Sequence, residues 1–116
     1  MPRLRPEGPI PSRIMLVQEF PSADDDRTGS PFAGAAGQEL NRMLHETGIM
    51  RSECYATSVL RVRPPGGWLD AFFPSKKKDI TAAHTLLKDR YCSKEVHEGY
   101  AELMTEIEMV QPNIIV

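Results

Sequence analysis

Apolar positions first gather in a short unbroken run, Arg13–Gln18 (RIMLVQ). A run of this length without alternation predicts a strand buried on both faces, as in a parallel sheet. Pro21 and the acidic stretch Asp24–Asp26 break it, and the following RTGSPFAGAAG reads as a Gly-rich loop. Ala36, Leu40, Met43, Leu44 and Thr47 recur at helical spacing, with Gly48 placed to end the helix. A second β-rich run, Cys54–Leu60 (CYATSVL), stops at the breaker Arg61–Gly67 (RVRPPGG). Trp68–Ser75 is apolar but irregular, and after Lys76–Lys78 the residue Asp79 is placed to cap a short helix reaching about Tyr91. The clearest stripe is Val96, Tyr100, Leu103, Ile107 and Val110, with Ser93 as N-cap and Pro112 as stop. Asn113–Val116 (NIIV) begins a third strand. The proline-rich residues 1–12 read as an extended leader, which leaves 13–116 as one domain.

The order is therefore strand, helix, strand, helices, strand. Helices between strands require parallel pairing and right-handed crossovers, so the expected fold is α/β, a three-layer αβα sandwich on a short parallel sheet. The chain ends inside an apolar run, and the expectation is that the C-terminal part of the domain is missing. The edges of so thin a sheet would invite pairing or aggregation.

Composition narrows this picture. With 41% hydrophobic and 26% charged residues the chain is not a disordered one. A net charge of −2 provides no global attraction to nucleic acid, so a basic surface would have to be local. No apolar run approaches a membrane span of about 18 residues, and the N-terminus lacks the apolar core of a signal peptide. Cys54 and Cys92 are isolated, which reads as reduced thiols in a cytoplasm. Neither forms a CxxC, and the scattered His45, His84 and His97 complete no metal set, so no metal is expected.

Ligands of open parallel sheets sit outside the carboxyl ends of the strands. Two loops leave such ends, Gln18–Gly37 and Arg61–Gly67. The first is acidic and Gly-rich, the second carries Arg61 and Arg63. Together they could form a cleft with carboxylates for chemistry and cations for phosphate. Read alone, Glu19 is an exposed loop carboxylate, Asp24–Asp26 a solvated helix start and Lys76–Lys78 a solvated run. Phe32 is equally a core plug or a stacking platform. At most one of Arg61 and Arg63 is expected to face a phosphate.

The run Gln18–Gly37 (QEFPSADDDRTGSPFAGAAG) resembles the first motif of family 4 uracil-DNA glycosylases, which read GEAPG, an acidic cluster, then RTGxPFVGAAG. Tyr55–Pro65 (YATSVLRVRPP) resembles their TNVVKCRPP segment, and Gln111–Val116 (QPNIIV) their third-strand segment. The resemblance covers about residues 13–116 and implies a hydrolase that flips uracil out of DNA and cleaves its N-glycosidic bond without a metal. It makes Glu19 the catalytic carboxylate, stabilising a cationic sugar and orienting water. Gln18, Phe20, Pro21, Phe32 and Ser58 would surround the base, with Phe32 stacking on it. Arg61, Arg63, Lys76, Lys77 and Lys78 would meet the DNA backbone.

The departures bear on activity. Gln18 and Ser22 replace glycines where backbone should approach the ligand. The family's uracil-reading Asn falls on Ser58, whose hydroxyl cannot match the paired donor and acceptor of a carboxamide. Many members hold an iron–sulfur cluster on four cysteines. The N-terminal pair is absent here and the helical position falls on Gly99, so no cluster is expected. A His-Pro-Ser type second motif would lie beyond Val116. This lack of cluster cysteines, with Trp68–Pro74 (WLDAFFP) and the lysines after it, resembles the glycosylase-like domains at the front of some phage DNA polymerases. The implied partners are uracil-containing or single-stranded DNA and a polymerase domain, in a host cytoplasm. The alternative is a catalytically incompetent DNA-binding or polymerase-associated module on the same fold.

Overall fold

The computed structural model describes residues 3–74, 80–87 and 90–116 of the 116. Three strands, β1 (Ile14–Gln18), β2 (Tyr55–Ser58) and β5 (Ile114–Ile115), form a parallel sheet in the order β2-β1-β5. The Met15–Tyr55 and Gln18–Ser58 pairings bring the carboxyl ends of β1 and β2 to one edge. Helix α2 (Ala35–Glu46) covers one face of the sheet and α3 (Lys94–Val110) the other. Strand alternation explains the division. Leu16 and Ala56 pack with Leu40 and Leu44 of α2, while Met15 and Tyr55 pack with Leu103 and Val110 of α3. The three layers expected from the element order are thus present.

Residues 3–12 run along the outer edge of β2. Glu7 bridges Ala56 in antiparallel fashion, Leu4 donates its amide to the Arg61 carbonyl at 2.7 Å, and the Leu4 side chain is buried. That edge of the sheet is therefore covered, which removes one of the two exposed edges expected from the sequence.

Two local expectations change. The acidic stretch is a helix, α1 (Ala23–Thr28), closed by Gly29 in the left-handed conformation. The short helix expected up to Tyr91 is instead, where described, an antiparallel pair of strands, β3 (His84–Leu87) and β4 (Arg90–Ser93). The reason is a period of two. Cys92 and Leu87 turn toward a cluster of Leu60, Val62, Phe72 and Val96, while Leu86 and Tyr91, cross-strand partners, turn outward. Lys76, Lys77 and Lys78, expected to meet DNA, lie outside the described residues. No helix is long and apolar enough to cross a membrane among the described residues.

Candidate functional site at the carboxyl edge of the sheet

The segment after β1 is organised around one buried carboxylate. Asp25 is 1% exposed. It accepts hydrogen bonds from Gln18 Nε2 at 2.7 Å, Ser22 N at 3.2 Å and Ala33 N at 2.8 Å. Ser22 in turn caps α1, its Oγ accepting from Asp25 N at 3.1 Å, so the two residues form a reciprocal capping box. The expectation that the whole acidic stretch is solvated is corrected at this residue. The S-x-x-D spacing of Ser22 and Asp25 was the signal that could have shown it.

Gln18 also accepts from Phe32 N at 3.3 Å. Phe32 adopts φ 56°, and Gly37 packs so closely that a Cβ there would collide with the Phe32 carbonyl. The ring is half-buried against the Leu16, Cys54 and Ala56 cluster, with the Arg51 guanidinium 5.1 Å from its centroid. Arg51 also donates to the Pro31 carbonyl and to Asn41 Oδ1, at 3.0 and 2.9 Å. Its part in holding Phe32 was not visible in the sequence.

Glu19 stands exposed at the end of β1, and its backbone carbonyl accepts from Leu60 N at 3.1 Å. Gln18 likewise accepts at its carbonyl from Val59 N at 2.8 Å, so the loops leaving β1 and β2 are stitched together beside Glu19. Ser58 lies at the end of β2, with 0% exposure and an Oγ that has no hydrogen-bond partner. A buried orphan hydroxyl is costly in a native fold and marks a position able to receive a polar ligand atom.

Other expected site residues are placed elsewhere. Pro21 is fully buried and Phe20 packs against the Leu60–Val62–Phe72 cluster, so both shape the loop from within. Arg63 stacks over Phe20 at 5.8 Å and donates to the Pro21 carbonyl at 3.1 Å. Arg61 is not available to a phosphate. It is 3% exposed and paired with buried Glu106 of α3, which also accepts from Tyr55 Oη at 2.6 Å and Thr57 Oγ1 at 3.0 Å. Both residues lie past the end of β2, where no strand pleat sets their direction: Arg61 turns inward to α3 and Arg63 toward Pro21. Burial, followed by the Glu106 hydrogen bond, pushes the Tyr55 phenol well above its ordinary range. Glu106 was hidden in a stripe read as core packing; its place between Leu103 and Val110 is the signal that it faces inward. A cavity of about 400 Å³ lined by Tyr55, Arg61, Glu102 and Glu106 opens beside this network, on the sheet face opposite Phe32. It belongs to the network and not to the carboxyl edge.

The chain does not fit an iron–sulfur cluster. Any side chain at Gly99 would collide with the Val59 carbonyl. Cys54 and Cys92 lie in separate core clusters, and burial raises both thiols, which disfavours thiolate ligation. Among the described residues no group of three or more His, Cys, Asp or Glu side chains could hold a metal ion.

Comparison with known proteins agrees with this geometry. Residues 5–116 match the uracil DNA glycosylase superfamily. The chain is 32% identical over 110 residues to a type-4 uracil-DNA glycosylase of Thermotoga maritima, covering 95% of this chain and 46% of that protein. It is 33% identical over 105 residues to the type-4 enzyme of Archaeoglobus fulgidus, covering 90% and 42% respectively. With the type-4 enzyme of Pyrobaculum aerophilum it shares 42% identity over 59 residues, 51% of this chain and 30% of that one. The chain thus spans less than half the length of these relatives. With the family model matched over residues 5–116, the chain belongs to the uracil DNA glycosylase superfamily.

Proposed function

We propose that this chain supplies the uracil-binding and cation-stabilising half of a DNA glycosylase active site. The observation that carries the reading is Glu19, an exposed carboxylate at the carboxyl edge, fixed through its backbone to Leu60. Hydrolysis breaks the bond between the sugar C1′ and the base nitrogen. The electron pair leaves with the base, a water oxygen adds to the cationic sugar carbon, and the proton that this water loses balances the one the departing base anion takes up from solvent. Glu19 stabilises that cation and orients the water. Phe32 and the Ser58 hydroxyl face the extruded base, and Gln18 closes the pocket from behind. DNA, single-stranded or locally opened, meets this edge with Arg63 at its margin. The test is release of uracil from a uracil-containing single-stranded oligonucleotide, read as alkali-labile abasic sites. Cleavage that Glu19→Gln abolishes supports the enzyme.

A second reading is favoured by Ser58. One hydroxyl cannot donate to and accept from a uracil edge in the way a carboxamide does. On that reading the chain is a DNA-binding module, associated with a polymerase, that has lost cleavage. Salt-sensitive DNA binding without cleavage would support it, and gain of cleavage in Ser58→Asn would show that the missing carboxamide is the cause.

A further inference from the structure

Trp68 is 72% exposed, the most exposed of the large apolar side chains among the described residues. It follows the turn Pro65–Gly67, in the loop that leaves the carboxyl end of β2. Gly66 and Gly67 have φ of 64° and 76°, a backbone that only glycine adopts without strain. The turn sets the indole against Gly66, where a Cβ would lie 3.0 Å from Trp68 Cδ1. The rest of the ring is open. Beside it, Arg63 Nη2 occupies the space a Gly67 side chain would need, 2.6 Å from the Cβ position. Arg63 donates to the Pro21 carbonyl and lies over the Phe20 ring.

We propose that Trp68 is a stacking platform for an unpaired nucleobase adjacent to the pocket, with Arg63 facing the phosphate next to it. The proposal rests on the reading that the carboxyl edge meets DNA, but does not require that uracil be cleaved. The exposed apolar side chains of the parallel sheet, Ile114 and Ile115, belong to the far strand, away from the loop that leaves β2. Trp68 instead combines an open π-face, a neighbouring guanidinium and a position on the ligand-binding edge. Base–aromatic stacking is indifferent to sequence, since every base offers a π-face. An unpaired strand is the occupant because in a duplex those faces are already stacked.

Trp68 is the only tryptophan, so its emission reports directly. The full chain is titrated with uracil-free oligothymidylate, and with a strand of equal length carrying abasic tetrahydrofuran units. Oligothymidylate is expected to quench the emission saturably and the abasic strand is not. Trp68→Ala is expected to weaken oligothymidylate binding, followed by anisotropy of a labelled strand, roughly 5- to 150-fold, with the circular dichroism unchanged. Trp68→Phe recovers part of the loss. Absence of quenching, equal quenching by the abasic strand, or unchanged affinity in Trp68→Ala overturns the proposal. So does a concentration-dependent blue shift without DNA, which would mean that a second copy covers the ring. Failure of uracil release leaves each of these readouts intact, so the two readings fail separately.

Discussion

Gln18 and Asp25 are joined by a hydrogen bond of 2.7 Å between the amide nitrogen at the end of β1 and the buried carboxylate of α1. Through the two ends of its amide, Gln18 links that carboxylate to the backbone of Phe32. The loop carrying Glu19 and the turn carrying Phe32 are therefore held by one small mesh, and Gln18 and Ser22 take part in four of its five hydrogen bonds.

Removal of the carboxylate should show this mesh as stability. Asp25→Ala leaves Ala33 N, Ser22 N and the Gln18 amide without their acceptor, at an expected cost of about 3 kcal/mol. Asp25→Asn retains one acceptor oxygen and should cost less. Urea denaturation followed by circular dichroism checks the order; equal stability of the three proteins would remove Asp25 from the mesh.

The pair Arg61–Glu106 should behave as a buried ion pair and not as a DNA contact. Glu106→Leu removes the buried partner of the Arg61 guanidinium, leaving the half-exposed Glu102 at 3.3 Å as its remaining carboxylate, and is expected to cost about 3 kcal/mol. The double variant Arg61→Met/Glu106→Leu should recover much of that loss. A double-mutant cycle in urea measures it, and additive losses would contradict the pairing.

Alkaline pH should destabilise the fold through Tyr55. Its folded phenol is raised from the ordinary 10.0, so the folded state keeps a proton that the unfolded chain releases. The stabilising contribution is complete below about pH 10 and is lost as pH climbs toward the folded value. Cys54 and Cys92, raised from 9.0 by burial, act with the same sign from slightly lower pH. Tyr55→Phe should flatten the fall in unfolding free energy above pH 10; an unchanged slope would assign it elsewhere.

Restoring a cysteine at position 99 should damage the fold. Gly99→Cys places a side chain against the Val59 carbonyl, so α3 must move away from β2. An expected loss of about 1–3 kcal/mol would appear as a lower urea midpoint. A Gly99→Cys protein as stable as the parent would mean that α3 can shift from the Val59 carbonyl without loss.

Much of this was legible along the chain. The run Arg13–Gln18, the stripe from Val96 to Val110 and the breakers at Arg61–Gly67 predict β1, α3 and the loop after β2, because buried faces impose a periodicity that sequence carries directly. The same periodicity misled at β3 and β4, where short amphipathic stretches support either period and packing on Leu60, Val62 and Phe72 chose the strand. Charge was the harder case. Asp25 read as part of a solvated helix start and Arg61 as a DNA contact, while Glu106 drew no reading of its own, since an isolated charge belongs in water.

By itself the sequence determined the order of elements, the parallel sheet they require, and the family pattern that places Glu19, Phe32 and Ser58 at one sheet edge. Only the tertiary structure decided which polar groups leave solvent. Asp25 is buried because Gln18, Ser22 and Ala33 converge on it, Arg61 because Glu106 comes from a helix 45 residues away, and Ser58 Oγ stays unpartnered at the edge. Those outcomes depend on partners distant in sequence, which no local pattern of residues can specify.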